Sequence, residues 1–141
     1  MEIENFTKKN ILLYSSMFFI TNSFAAFYKK YYVYSLLFFI LTLTSLIVHS
    51  NDTIYTNSID KLAVGGIILY GAYMLYTKMS FEKFLEISLI VSTFLICIFL
   101  YVYGYYTESF CYHPEKRIRE LYHIVLHFIA SLGHHFIIFL V

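Results

Sequence analysis

Five residues in this chain have the types and the spacing to do chemistry together. His123 and His127 are four apart, so on a helix both imidazoles lie on one face, a turn from each other. Such a pair is able to chelate a single ion. His49 supplies a third imidazole, and three histidines complete a catalytic zinc site with an open fourth position. Ser45 lies four residues before His49, which again puts both on one helix face. Asp60 follows in the next segment.

The elements that must hold these residues are set by composition. The chain has 141 residues, 60% apolar and only 13% charged. A soluble domain carries about 25% charged and about 45–50% apolar residues. Half the usual charge at this hydrophobicity leaves too little polar surface to cover a water-facing globule. Disorder is excluded by the same balance, since disordered chains are poor in aromatics and rich in charge. A net charge of +1 provides no basic field for nucleic acid. Two cysteines make no disulfide scaffold. The remaining class is a small multi-pass membrane protein, a single all-α transmembrane domain over 1–141.

Charge-free stretches locate the spans. Lys9 to Lys29 brackets 19 uncharged residues, Lys30 to Asp52 brackets 21, Lys61 to Lys78 brackets 16 and Glu86 to Glu108 brackets 21. A further 21 follow Glu120. About 20 residues are needed to cross about 30 Å of hydrocarbon. The third stretch reaches only about 24 Å at 1.5 Å per residue. It must extend backwards through Lys61 and Asp60, which places Asp60 in the first turns of a membrane helix. The spacing predicts five helices, roughly 10–28, 31–50, 57–77, 82–103 and 118–140. The first stretch has a rival reading as a signal peptide, with Lys8 and Lys9 as its basic end and Ser23-Phe24-Ala25 as a weak cleavage site. Its length and the tight Lys29-Lys30 link favour a span.

Alternation of five helices puts the end of helix 2, the start of helix 3 and the start of helix 5 on the side of the N-terminus. Ser45, His49, Asp60, His123 and His127 therefore share one membrane depth. Ionisable groups inside membrane helices are costly and usually mark function. That side also carries Lys8, Lys9, Lys61, Lys116, Arg117 and Arg119, against Lys29, Lys30, Lys78 and Lys83 opposite. The positive-inside rule leans towards placing it in the cytoplasm.

Each polar group has an ordinary reading too. A lone membrane histidine more often packs with a hydrogen bond than binds metal; Ser45, beside Thr42 and Thr44, is packing glue on composition alone. Asp60 is placed to cap its helix or pair with Lys61. His134 and His135 lie about two turns past His127, too far for the same ion. Cys111-Tyr112-His113 is a weak metal signal. Asn22 reads as an interhelical hydrogen bond, and Gly65, Gly66 and Gly71 as close-packing positions.

Ser45-Leu-Ile-Val-His49, then Asp60, then His123-Ile-Val-Leu-His127 resembles the CREST superfamily of membrane hydrolases. That group contains the alkaline ceramidases, the progestin and adipoQ receptors and the myomaker-like proteins. Its shared pattern is S-x3-H on one helix, Asp at the start of the next and H-x3-H on the last. His49-Ser50-Asn51-Asp52 is similar to the H-x-C-D of myomaker-like members, with Asn in place of Cys. Tyr122-His123 through Gly133 is similar to a Y-H-x3-H-x5-G stretch, and Thr21-Asn22-Ser23-Phe24 to the S/T-N-x-aromatic segment of the first core helix. The resemblance covers roughly 14–76 and 117–140. It implies a seven-helix bundle, of which this chain has room for five. Loss of a helix pair keeps the last helix starting on the metal side and leaves the wall of the lipid pocket incomplete.

The resemblance implies a zinc-dependent hydrolase cleaving a ceramide-like amide or an ester of a membrane lipid. His49, His123 and His127 would be the zinc ligands, presenting hydroxide as nucleophile; Asp60 would be the general base and Ser45 an oxyanion donor. A non-enzymatic protein with a structural zinc, used in membrane remodelling or partner binding, is the alternative. An ion or proton conduit has less support, because no polar chain continues to the far side. Homo-oligomerisation is compatible with the sequence, which names neither the substrate nor the membrane.

Overall fold

The computed structural model describes residues 11–140, and among them there is helix and turn but no strand. Five helices are long and apolar enough to cross a membrane: α1 (Ile11–Tyr28), α2 (Tyr32–Ser50), α3 (Ile54–Lys78), α4 (Phe81–Thr107) and α5 (Lys116–Phe139). The all-α fold and the number of spans agree with the charge-free stretches. The chain forms two compact units, Met1–Lys78 and Met79–Val141.

In the first unit α2 packs on both α1 and α3. Its buried stripe is Tyr34, Phe38, Leu41, Ser45 and Val48, at helical spacing. Its outward stripe is Leu36, Phe39, Leu43 and Ile47, all exposed. This arrangement inverts a soluble protein: Ser16, Asn22, Ser23, Ser35, Thr42, Thr44 and Ser45 are buried while large apolar side chains face out. In lipid, apolar burial does not drive helices together, so small residues and hydrogen bonds between helices do. Ser23 and Ser35 show this directly. Each hydroxyl donates to the other residue's carbonyl oxygen at 2.8 Å, with the two hydroxyls 3.2 Å apart. Tyr34 is fully buried, its ring 4.9 Å from Phe38 and 5.2 Å from Tyr70.

The α1–α2 link closes as tightly as expected. Lys30 adopts a left-handed φ of 64°. Tyr31 N donates to Ala26 O at 2.8 Å and Lys30 N to Phe27 O at 2.9 Å. This paired pattern satisfies carbonyls left over at the end of α1. α1 itself has a turn at Met17 that precedes the regular stretch Phe18–Tyr28.

α3 begins at Ile54, three residues before its expected start. The reason is local. Thr53 Oγ1 accepts from Thr56 N at 3.2 Å, and Thr56 Oγ1 accepts from Thr53 N at 2.9 Å. This reciprocal pair is a threonine version of the capping box. It turns a polar link into a helix start and carries α3 through Asp60 and Lys61, as the short third stretch required.

In the second unit α4 packs against α5. α4 opens with a 3-10 turn, Phe81–Lys83, and widens to a π-helical segment, Phe99–Tyr103, before its last turn, Gly104–Thr107. It therefore runs four residues past its expected end. Glu108 closes it with a left-handed φ of 51°, and Ser109 N donates to Gly104 O at 3.0 Å. A Cβ on Gly104 would lie 2.6 Å from Ser109 O, so this closure needs glycine. A 3-10 turn, Phe110–Tyr112, leads into α5. Rings of Phe99, Tyr103, Phe110 and Tyr122 pack together here.

Glycine packing agrees with the sequence only in part: Gly71 is buried in α3, but Gly65 and Gly66 are not in close contact. A Cβ on Gly65 or Gly66 would meet nothing within 4 Å, so neither is a close-packing position. On Gly133 a Cβ would lie 2.3 Å from Thr93 Oγ1. That glycine is what lets α5 approach α4.

Candidate functional site

One end of the first unit gathers the polar groups from three helices. Asp60, in the second turn of α3, is half-buried and accepts a hydrogen bond from Thr44 Oγ1 of α2 at 2.9 Å. Ser45, the next residue of α2, is 2% exposed, and its hydroxyl lies 2.9 Å from that of Ser16 on α1. His49 is one turn further along α2, half-buried. Thr53 and Thr56 cap α3, and Asp60 lies beyond the first turn, so its carboxylate is not the cap of its own helix. Its partner is a hydroxyl on the neighbouring helix.

The Thr44–Asp60 bond joins an alcohol to an acid across two helices. Such a bond is worth about 0.5–1.5 kcal/mol with the acid neutral and about 1.5–3 kcal/mol with it ionised. Ser16 and Ser45 have one proton each. When Ser16 donates to Ser45, the Ser45 proton is left to point elsewhere.

The second unit holds the histidine pair. His123 and His127 occupy the second and third turns of α5. Their ring centroids are 4.7 Å apart at an interplanar angle of 78°, and His127 is buried. The i, i+4 spacing thus produces two adjacent imidazoles on one face. His134 is buried with its ring edge-on to Phe94 of α4, centroids 5.1 Å apart. His135 turns its Nδ1 to the Ser131 carbonyl, 2.9 Å away on the same helix. Both therefore have packing roles in the second unit.

The Cys111-Tyr112-His113 stretch is built into the turn before α5. His113 Nδ1 accepts from Glu115 N at 3.0 Å, and Arg119 donates to the His113 carbonyl at 3.2 Å. Burial pushes the Cys111 thiol up to about 11. In the absence of a metal it stays protonated at neutral pH, the form that is not a nucleophile.

Two residues escaped the sequence reading of the site. Thr44 was visible only as one of several hydroxyl residues in α2. Ser16 was visible only as half of a serine pair in an apolar stretch. Both touch a site candidate through a hydroxyl from another helix, and no local spacing encodes such a contact. No family model, no curated protein and no solved structure matches the chain.

Proposed function

We propose that this chain is a multi-pass membrane hydrolase that uses zinc to cleave an acyl amide or ester of a membrane lipid. The observation that carries the reading is the donor set. Among the described residues, His123 and His127 set two imidazoles side by side on α5, ring centroids 4.7 Å apart, and His49 is the third donor of the proposed set. Three imidazoles and no thiolate fit zinc in the form that keeps a position open for chemistry. When bound, zinc supplies Lewis acidity, which polarises a carbonyl and brings the pKa of water down to about 7.

The chain's own residues account for the rest. Asp60 takes a proton from water and returns it to the departing amine or alkoxide. Ser45 donates to the oxygen that gains charge as the carbonyl is attacked. With Ser16 as donor across the 2.9 Å contact to Ser45, one lone pair of the Ser45 hydroxyl is filled and its proton is left for the substrate. Apolar outer faces suit a substrate whose acyl chains stay in the bilayer.

A second reading is a structural zinc in a non-enzymatic membrane protein. It is favoured by one observation: five helices of spanning length among the described residues where the resemblance implies seven. A structural ion needs neither Asp60 nor Ser45. The deciding experiment measures zinc and activity on the same purified sample in mild detergent. Ceramide, phospholipid and an N-acyl amide are offered to zinc-loaded and chelator-treated protein. The hydrolase reading expects about one zinc per chain and zinc-dependent release of fatty acid from one of the three. A fully zinc-loaded protein that releases none favours the structural ion.

A further inference from the structure

We infer that Thr44 is a positioning residue for Asp60, and that its single proton lets this carboxyl change protonation state without losing its partner. The inference rests on the hydrolase reading above. Thr44 Oγ1 lies 2.9 Å from Asp60 Oδ1 and 3.1 Å from the Leu41 carbonyl oxygen. A threonine hydroxyl has one proton and two lone pairs, so it donates to only one of these acceptors at a time. While Asp60 is a carboxylate, it is the stronger acceptor and takes the proton. Once Asp60 has taken a proton from water, its new O–H needs an acceptor of its own. Rotation of the Thr44 hydroxyl towards Leu41 O meets that need. Its proton goes to the backbone carbonyl, and a lone pair turns to Asp60.

In both protonation states the Thr44–Asp60 hydrogen bond is then kept with no heavy atom moving. Thr44 is 9% exposed, so bulk water is a poor substitute, and a buried group without a partner is costly. The balance is simple. An O–H of water breaks as Asp60 O–H forms, and the water oxygen bonds to the acyl carbon. Asp60 O–H then breaks as the leaving nitrogen or oxygen is protonated and its bond to the acyl carbon is cleaved. The sum is lipid plus water giving fatty acid plus amine or alcohol. Because Thr44 belongs to α2 and Asp60 to α3, the same bond also holds the carboxyl in one place relative to Ser45, the neighbour of Thr44.

The test is a series at position 44 measured on the wild type's own lipid substrate. Thr44→Val keeps the shape and removes the proton and both lone pairs. It is expected to retain zinc content and KM, with kcat lower by about 10–100-fold, the range for losing a hydrogen-bond partner behind a functional group. Thr44→Ser restores the hydroxyl and is expected to recover most of kcat, which a purely packing role would not predict. Thr44→Ala serves in place of valine if the latter fails to fold. A Thr44→Val protein with wild-type kcat overturns the inference alone, as does a Thr44→Ser protein as slow as the valine variant. A zinc-loaded wild type inactive on every lipid overturns the hydrolase reading and this inference together.

Discussion

Gly133→Ala is the sharpest test of the packing that holds α5, the helix of His123 and His127, against α4. A mid-helix Gly→Ala exchange ordinarily stabilises by about 1 kcal/mol through helix propensity. Here the new Cβ would lie 2.3 Å from Thr93 Oγ1 and 3.1 Å from Thr93 Cβ. The first distance is about 1 Å inside ordinary contact, and Thr93 cannot turn away freely. Its hydroxyl donates to Ile90 O at 2.7 Å, within its own helix. Overpacking costs about 1–3 kcal/mol, and loss of the Thr93 hydrogen bond adds about 0.5–1.5 kcal/mol. Set against the propensity gain, the net expectation is a loss of about 1–3 kcal/mol. Denaturant unfolding in a mild detergent reads this directly. Two controls fix the interpretation. Gly65→Ala meets nothing within 4 Å and is expected to stabilise by up to about 1 kcal/mol. Thr93→Ala removes the clashing hydroxyl and is expected to rescue most of the Gly133→Ala loss in the double variant. A Gly133→Ala protein as stable as wild type, or a double variant no better than the single, would refute the α4–α5 contact as described.

Further expectations concern the metal, the acid and the topology. Alanine at His49, His123 or His127 should lower zinc content and thermal stability together, because metal-binding free energy is also folding free energy; His135→Ala should keep the zinc. Full occupancy in a His123→Ala/His127→Ala protein, read by metal analysis, would remove these ligands from the assignment. Asp60→Asn should lower lipid hydrolysis by about 10²–10⁴-fold with zinc little changed, and Ser45→Ala by about 10²–10³-fold; an Asp60→Asn protein as active as wild type would point to a structural ion. Five spans place the chain ends on opposite faces, so protease should reach only one of two terminal tags in sealed vesicles. Protection or cleavage of both tags together would count against five crossings.

Much of the architecture was legible because a bilayer imposes a one-dimensional rule. A helix that crosses hydrocarbon must be apolar over its whole length, and the charged residues that bracket such runs stand in plain view. The start of α3 was less legible. The Thr53/Thr56 pair that begins it reads as a polar turn until the two side chains are seen to bond each other's backbone. The end of α4 was missed for the opposite reason: Gly104 suggested a break, yet the helix widens through Phe99–Tyr103 and continues through that glycine.

The site divides along the same line. Spacing four apart is a property of one helix, so the adjacency of the His123 and His127 rings was determined by the sequence alone. Their ring centroids are 4.7 Å apart. The partners of Asp60 and Ser45 were decided only by tertiary structure. Thr44 reaches across from α2 to α3 and Ser16 from α1 to α2, over sequence separations no local pattern records. A hydroxyl's neighbour on another helix depends on the rotation and depth at which two helices pack. That is fixed by contacts such as the reciprocal Ser23–Ser35 bonds, and by the approach that Gly133 permits in the second unit.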